Sequence, residues 1–237
     1  MNSIDPEQVL LTCGAHGSRP VVAPPGVPTV ALPARPGRAD LDPVLTGHHP
    51  RRLIVAGTDA DLAAVLQRLL RTERLDVEVA YLPARGSDAA RAWGLPTGSA
   101  AAAAAFHGVA SPIPLVRDDS GGVLVGRGEV RGMRGECYCD DVLVLRGDAP
   151  RLIVAPGPGG VAVRAGRTGR LPDGRIRPVA PTAQRGRGSS IGRTAQLGGD
   201  PMTVVTDGVP HPREVRRWTW YRHTTDWLLV RPRPRAN

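Results

Sequence analysis

With 237 residues, the chain is long enough for one large or two small domains. Only 3% of it is aromatic, so a core must be built mostly from Val, Leu, Ile and Ala. All 31 basic residues are Arg, which excludes a Schiff-base or amine-catalytic lysine and the lysine of a P-loop NTPase. Residues 1–150 hold 15 Arg and 17 acids, whereas residues 151–237 hold 16 Arg and 5 acids. A basic half of this kind meets an anionic partner or forms a solvated surface. Cys13, Cys137 and Cys139 are an odd set and no disulfide framework; the Cys137/Cys139 pair reads as two small core residues. No histidine is followed three or four residues on by a second histidine or a cysteine, which argues against zinc.

In chain order, "MNSIDPEQVLLTCGAHG" is neither a signal peptide nor a membrane span, so a cytoplasmic location is expected. Residues 8–13, 29–34, 52–56 and 77–82 read as short buried strands, with a helix between the last two. That alternation predicts a parallel α/β sheet. In the helix, Leu62, Val65, Leu66, Leu69 and Leu70 share one face. Thr58 with Asp61 three residues on forms a capping box at its start. A second, short helix should stop at Gly94, and "SAAAAAAF" (99–106) is helical on propensity alone.

From Pro112 onward the pattern changes to short apolar or alternating runs broken by Gly and Pro, among them "GVLVGRGEV", "RLIVAPG", "MTVVTDG" and "DWLLVRP". This predicts an antiparallel β-sandwich. The expected layout is an α/β domain over 1–111, a β-rich domain over 112–230 and a flexible basic tail over 231–237. Residues 166–192, rich in Gly, Arg and Pro, read as a long mobile loop. Trp218 and Trp220 alternate with Arg217, Thr219 and Tyr221, so the tryptophans should face a core.

The loop between a strand's carboxyl end and a helix N-terminus is where α/β proteins bind phosphates. Here that loop is "AGTDADLAAVL". It resembles the nucleotide-binding loop of the diacylglycerol kinase catalytic-domain family, which includes bacterial lipid kinases and sphingosine kinases and is related to NAD kinases. The family's loop reads G-G-D-G-T. Gly57 falls on the first glycine and Asp59 on the aspartate, while Thr58, Ala60 and Asp61 replace the second glycine, third glycine and threonine. "YLPARGSDAARAWGLP" is similar to a second signature, P-x-G-T-x-N-D-x-A-R-x-L-G, with one deletion and without its Thr and Asn. "TVVTDGVPHP" resembles the family's D-G-E turn, with Val209 in place of Glu. The resemblance spans residues 50 to about 230; residues 1–49 lack the family's N-P-x-S-G loop.

The resemblance implies an NAD-kinase-like first domain, ATP between the domains, and Mg²⁺-assisted phosphoryl transfer to a lipid hydroxyl. It makes Asp59 and Asp207 the catalytic candidates, with Asp59 the metal ligand. Gly57, Thr58, Ala60, Asp61, Arg85, Gly86, Ser87 and Asp88 would line the nucleotide; Arg51 and Arg52, at the other end of their strand, would be too distant. His211, between two prolines near Asp207, is a further candidate for that cleft. Against transfer, Thr58 and Ala60 add side chains where the family's backbone lies bare, and Asp61 places a carboxylate where a phosphate would sit. The expectation is therefore a lipid-kinase-like protein, acting on a lipid or other hydroxyl, with weakened or lost activity. ATP and Mg²⁺ are its cofactors if it is active. The alternative is a non-catalytic module whose basic β domain holds an anionic lipid, nucleotide or partner. Peripheral membrane contact and a homo-oligomer stay open, and nucleic acid is disfavoured.

Overall fold

The computed structural model describes residues 7–14, 21–83, 86–166, 168–170, 176–178 and 184–233. The chain divides into two compact units, residues 1–113 with 225–237, and residues 114–224.

The first unit runs β1 (Gln8–Cys13), β2 (Thr29–Leu32), α1 (Arg38–His48), β3 (Arg52–Gly57), α2 (Asp59–Arg71), β4 (Glu78–Pro83), α3 (Asp88–Trp93), α4 (Ser99–His107) and β5 (Val109–Ile113). Strands β2, β1, β3 and β4 lie side by side and all run parallel. Leu10, Ile54, Ala80 and Leu82 pack in one cluster with Ala101, Ala105 and Phe106 of α4. The polyalanine helix thus approaches the sheet closely, as its small side chains permit. Its C-terminal carbonyls are capped by Arg52, which donates to Ala105, Phe106 and Gly108 while pairing with Glu78 at 2.6 Å. On α2, Leu62, Val65, Leu66 and Leu69 are almost fully buried, each such side chain stabilising by roughly 2 kcal/mol. Helix α1 has no counterpart in the sequence reading, because Pro43 interrupts its pattern. Asp42 anchors it by receiving two bonds from Arg68 of α2, at 2.6 and 2.7 Å.

The second unit contains β6 (Val116–Asp118), β7 (Val123–Leu124), β8 (Gly128–Cys139), β9 (Val142–Gly157), β10 (Gly160–Gly166), β11 (Thr168–Arg170), β12 (Ile176–Pro178), β13 (Gln184–Arg185), β14 (Ser189–Gly192), β15 (Thr194–Thr206), β16 (Val209–Pro210) and β17 (Val215–Arg222). One antiparallel sheet runs β14-β10-β9-β8-β15-β17-β6-β7, and it curls so that β10 also meets β17. Both halves surround a single core in which Val130, Leu152, Val161, Cys137, Cys139, Trp218 and Trp220 are buried. At Gly135 and Gly199, β8 and β15 approach so closely that a Cβ on either would strike the opposing backbone. Burial, with the charge of Cys139 added, pushes the Cys137 thiol up to about 12.

Two expectations need correction. "DWLLVRP" does not join the β-rich unit: β18 (Trp227–Arg231) inserts into the first sheet, parallel to β4 and antiparallel to β5. The described end of the chain therefore belongs to the first unit, and Arg231 is a strand residue; residues 234–237 lie outside the described residues. A run such as Trp-Leu-Leu-Val suits a strand flanked on both sides, and its periodicity does not say in which sheet. Second, the 166–192 segment is not one loop. Its described residues pair as β11 with β12, β13 with β9, and β14 with β10.

Candidate functional site

The residues singled out in the first unit gather at the carboxyl end of its parallel strands, where β3 and β4 turn into α2 and α3. Arg51 and Arg52 lie at the opposite end of β3. The Thr58–Asp61 capping box forms as the spacing predicts. Asp61 N–H donates to Thr58 Oγ1 at 3.3 Å, and Thr58 N–H donates to Asp61 Oδ2 at 2.8 Å. The Thr58 hydroxyl donates to that same oxygen at 2.7 Å.

Asp61 does more than cap. It is 0% exposed, and its other oxygen accepts the backbone N–H of Arg35 at 2.6 Å. Arg35, in the turn after β2, has φ 52°, a left-handed conformation uncommon outside glycine. Burial first, and then the negative charge of Asp61, push the Cys13 thiol at the end of β1 up to about 12. Gly57 belongs to the same arrangement: a Cβ there would stand 2.6 Å from Asp61 Oδ2. The glycine that reads as clearance for a phosphate makes room for an aspartate. Ala60 contributes only a half-exposed methyl to the first turn of α2.

Asp59 reaches across to the neighbouring loop. Its Oδ1 accepts from the Tyr81 hydroxyl at 2.8 Å and the Ser87 hydroxyl at 2.6 Å. Its Oδ2 accepts the N–H groups of Asp88 at 2.8 Å and Ala89 at 3.1 Å. Those two N–H groups open α3, where the helix dipole favours an anion. Ser87 is also the N-cap of α3, accepting from Ala90 N–H at 2.8 Å. Gly86 supplies the turn before it with φ 78°, and Asp88 points away to pair with Arg91. Arg85 lies outside the described residues. Tyr81, Arg35 and Ala89 were not anticipated from sequence. Only Tyr81 carried a signal, being a residue with a polar tip near the end of an otherwise apolar strand.

In the second unit Asp207 and Gly208 join β15 to β16 with φ 48° and 84°, as a type I′ turn requires. The Asp207 carboxylate accepts three successive backbone N–H groups, from Val125 at 2.9 Å and from Gly126 and Arg127 at 2.8 Å. His211 Nδ1 lies 2.7 Å from the Arg213 carbonyl, with its ring edge-on to Trp218.

No protein-family model and no curated protein matches the sequence. Solved structures do match. A "putative diacylglycerol kinase" from Bacillus anthracis str. Sterne aligns over 96% of this chain and 97% of its own, with TM-score 0.65 and 12% identity. An NAD kinase from Archaeoglobus fulgidus, solved in complex with ATP, aligns over 95% of this chain and 94% of its own, with TM-score 0.50 and 12% identity. The fold is the diacylglycerol-kinase-like, NAD-kinase-related one. At this identity the likeness shows the fold alone. Within this kinase-like fold, Asp59, Asp61 and Asp207 each fill a cluster of backbone or hydroxyl donors inside their own unit. Among the described residues there is no cluster of three or more metal-ligating side chains and no helix long and apolar enough to cross a membrane.

Proposed function

We propose that this chain is a lipid-kinase-like protein that has lost phosphoryl transfer, its former nucleotide loops now serving as a structural clasp. The observation that carries this is the pair Asp59 and Asp61. Both occupy helix N-terminal donors that the parent fold would present to a phosphate, Asp61 at α2 and Asp59 at α3. A second anion at α2 would meet a like charge about 4 Å away, a repulsion of about 4 kcal/mol at intermediate dielectric, enough to erase micromolar binding.

The residues at Asp59 do not fit Mg²⁺. Both carboxylate oxygens already accept two hydrogen bonds each, so a cation would have to displace N–H and O–H donors that point at the same lone pairs. The Asp207 carboxylate is likewise engaged within its own unit, by three backbone N–H groups.

A thermal-shift titration with ATP, with and without Mg²⁺, tests the reading, followed by transfer from labelled ATP to diacylglycerol in mixed micelles. The expected result is no shift and no labelled lipid. A shift that needs Mg²⁺, together with transfer abolished by Asp59→Asn, would overturn it.

A further inference from the structure

In the second unit, the short ladder between β6 and β17 sets a cation beside an aromatic ring and an imidazole. Arg117 stands directly opposite Tyr221, and the ladder runs one step further, with His223 N–H donating to the Leu115 carbonyl at 2.7 Å. Side chains two apart on a strand share a face, and so do those directly opposite across a pair. Arg117, Tyr221 and His223 therefore gather on one side of the sheet, while Val116 and Trp220 enter the core on the other. The Arg117 guanidinium lies over the Tyr221 ring, 6.0 Å from its centre. All three side chains are half-buried.

This guanidinium has no anion. Its Nε is shut off from solvent without an acceptor, and among the described residues no carboxylate pairs with it. The next acid in sequence, Asp118, points to the other face, where one of its oxygens accepts from the Ser120 N–H and hydroxyl and from the Gly122 N–H. His223 shows the same imbalance. Burial first, and then the charge of Arg117, push its imidazole below the ordinary value, with no negative charge close enough to oppose them. The Tyr221 hydroxyl also makes no hydrogen bond among the described residues. A cation drawn partly out of water without a partner costs stability, so the arrangement is incomplete as the chain alone builds it.

We propose that Arg117, Tyr221 and His223 form a binding site for a phosphate group, carried by a soluble phosphomonoester or by a lipid headgroup. The terminal N–H groups of Arg117 make a charged fork, and the Tyr221 hydroxyl and a His223 ring N–H add two donors on the same face. A planar carboxylate has two oxygens, which the fork alone satisfies. A phosphate has further oxygens for the other two donors and brings the counter-charge that Arg117 lacks. The site lies within the second unit, is independent of the loops around Asp59 and Asp61, and holds whether or not transfer survives.

The test uses the full chain. Its melting temperature is followed in inorganic phosphate, glycerol 3-phosphate, acetate and chloride at matched ionic strength, since a ligand that binds only the folded state raises it. Phosphatidylcholine vesicles with and without phosphatidic acid are compared by sedimentation. Phosphate and glycerol 3-phosphate should raise the midpoint and acetate should not, which assigns a soluble phosphomonoester. Binding only of vesicles containing phosphatidic acid assigns a headgroup. Arg117→Met keeps an apolar stem over Tyr221 and removes the charge. It should weaken binding of the responding probe at least tenfold, the size of one lost charge-assisted hydrogen bond. In chloride alone it should melt no lower than the parent chain, a result that misfolding cannot produce. Tyr221→Phe should weaken binding about threefold. Arg217→Gln removes an exposed charge about 13 Å away along β17 and should leave binding unchanged. No response to any phosphate probe, an equal response to acetate, or a response that survives Arg117→Met would each overturn the site.

Discussion

The two units handle charge in opposite ways. At the carboxyl edge of the first sheet, donors that could hold an anion are filled by the chain's own Asp59 and Asp61. On the outer face of the second sheet, the single carboxylate of Glu129 is shared by Arg127, Arg131 and Arg151. In the first region several donors converge on each carboxylate from backbone and hydroxyl groups; in the second the donors to one carboxylate are guanidinium groups.

The comparison is most easily broken at Asp59. Replacing it with Ala removes the acceptor of the Ser87 hydroxyl and of two α3 N–H groups, while the Tyr81 hydroxyl keeps the Gly57 carbonyl at 3.2 Å. The expected cost is about 3–4 kcal/mol, read from the urea midpoint. Asp59→Asn, which keeps one acceptor oxygen, should cost about half that. A catalytic acid behaves in the opposite way, since its removal commonly stabilises. A rise in midpoint for either variant would sink the clasp. Asp207→Ala should come next, at about 3 kcal/mol, because it loses three charge-assisted bonds and puts Ala at positive φ. Asn tolerates that backbone, so Asp207→Asn should recover more than half of the loss, measured in the same way.

Gly57 separates two meanings of one glycine. If it exists for a phosphate, Gly57→Ala should affect ligand binding and leave stability nearly unchanged. If it exists for Asp61, the Cβ clash at 2.6 Å should cost about 2 kcal/mol. Asp61→Ser shortens the obstructing side chain, so the same substitution made in that background should cost less than half as much. Additive losses in this double-mutant cycle would return Gly57 to the phosphate reading.

What could be read from sequence divides along the same line. The Thr58–Asp61 cap, the stop at Gly94, the tight turn at Asp207 and the inward tryptophans are local features, each set by residues within a few positions. That the strands run parallel followed from βαβ alternation; their order did not. Apart from helix α1, which Pro43 hid locally, the misses are non-local. Nothing near Asp59 in sequence reveals that Asp88 N–H lies within 2.8 Å of it, because two strand ends must first be set side by side. Arg131 and Arg151 are twenty residues apart, and only the β8–β9 register makes them neighbours. The same is true of β18, whose hydrophobic run announces a strand without naming its sheet.

The smallest effect is the most discriminating for the second region. Glu129 has a depressed carboxyl value in the folded state. Its stabilisation is therefore fully present above the unfolded value of about 4.3 and is lost as pH falls through the folded one. Glu129→Gln should lower the melting temperature slightly at pH 7, by the equivalent of no more than about 1 kcal/mol for a partly exposed pair. The gap to the parent chain should close once the pH has fallen through the folded-state value of Glu129, below which both carry a neutral side chain. A gap that persists at low pH would show that the loss comes from packing and not from the ion pairs of Glu129, so melting curves at two pH values decide between them.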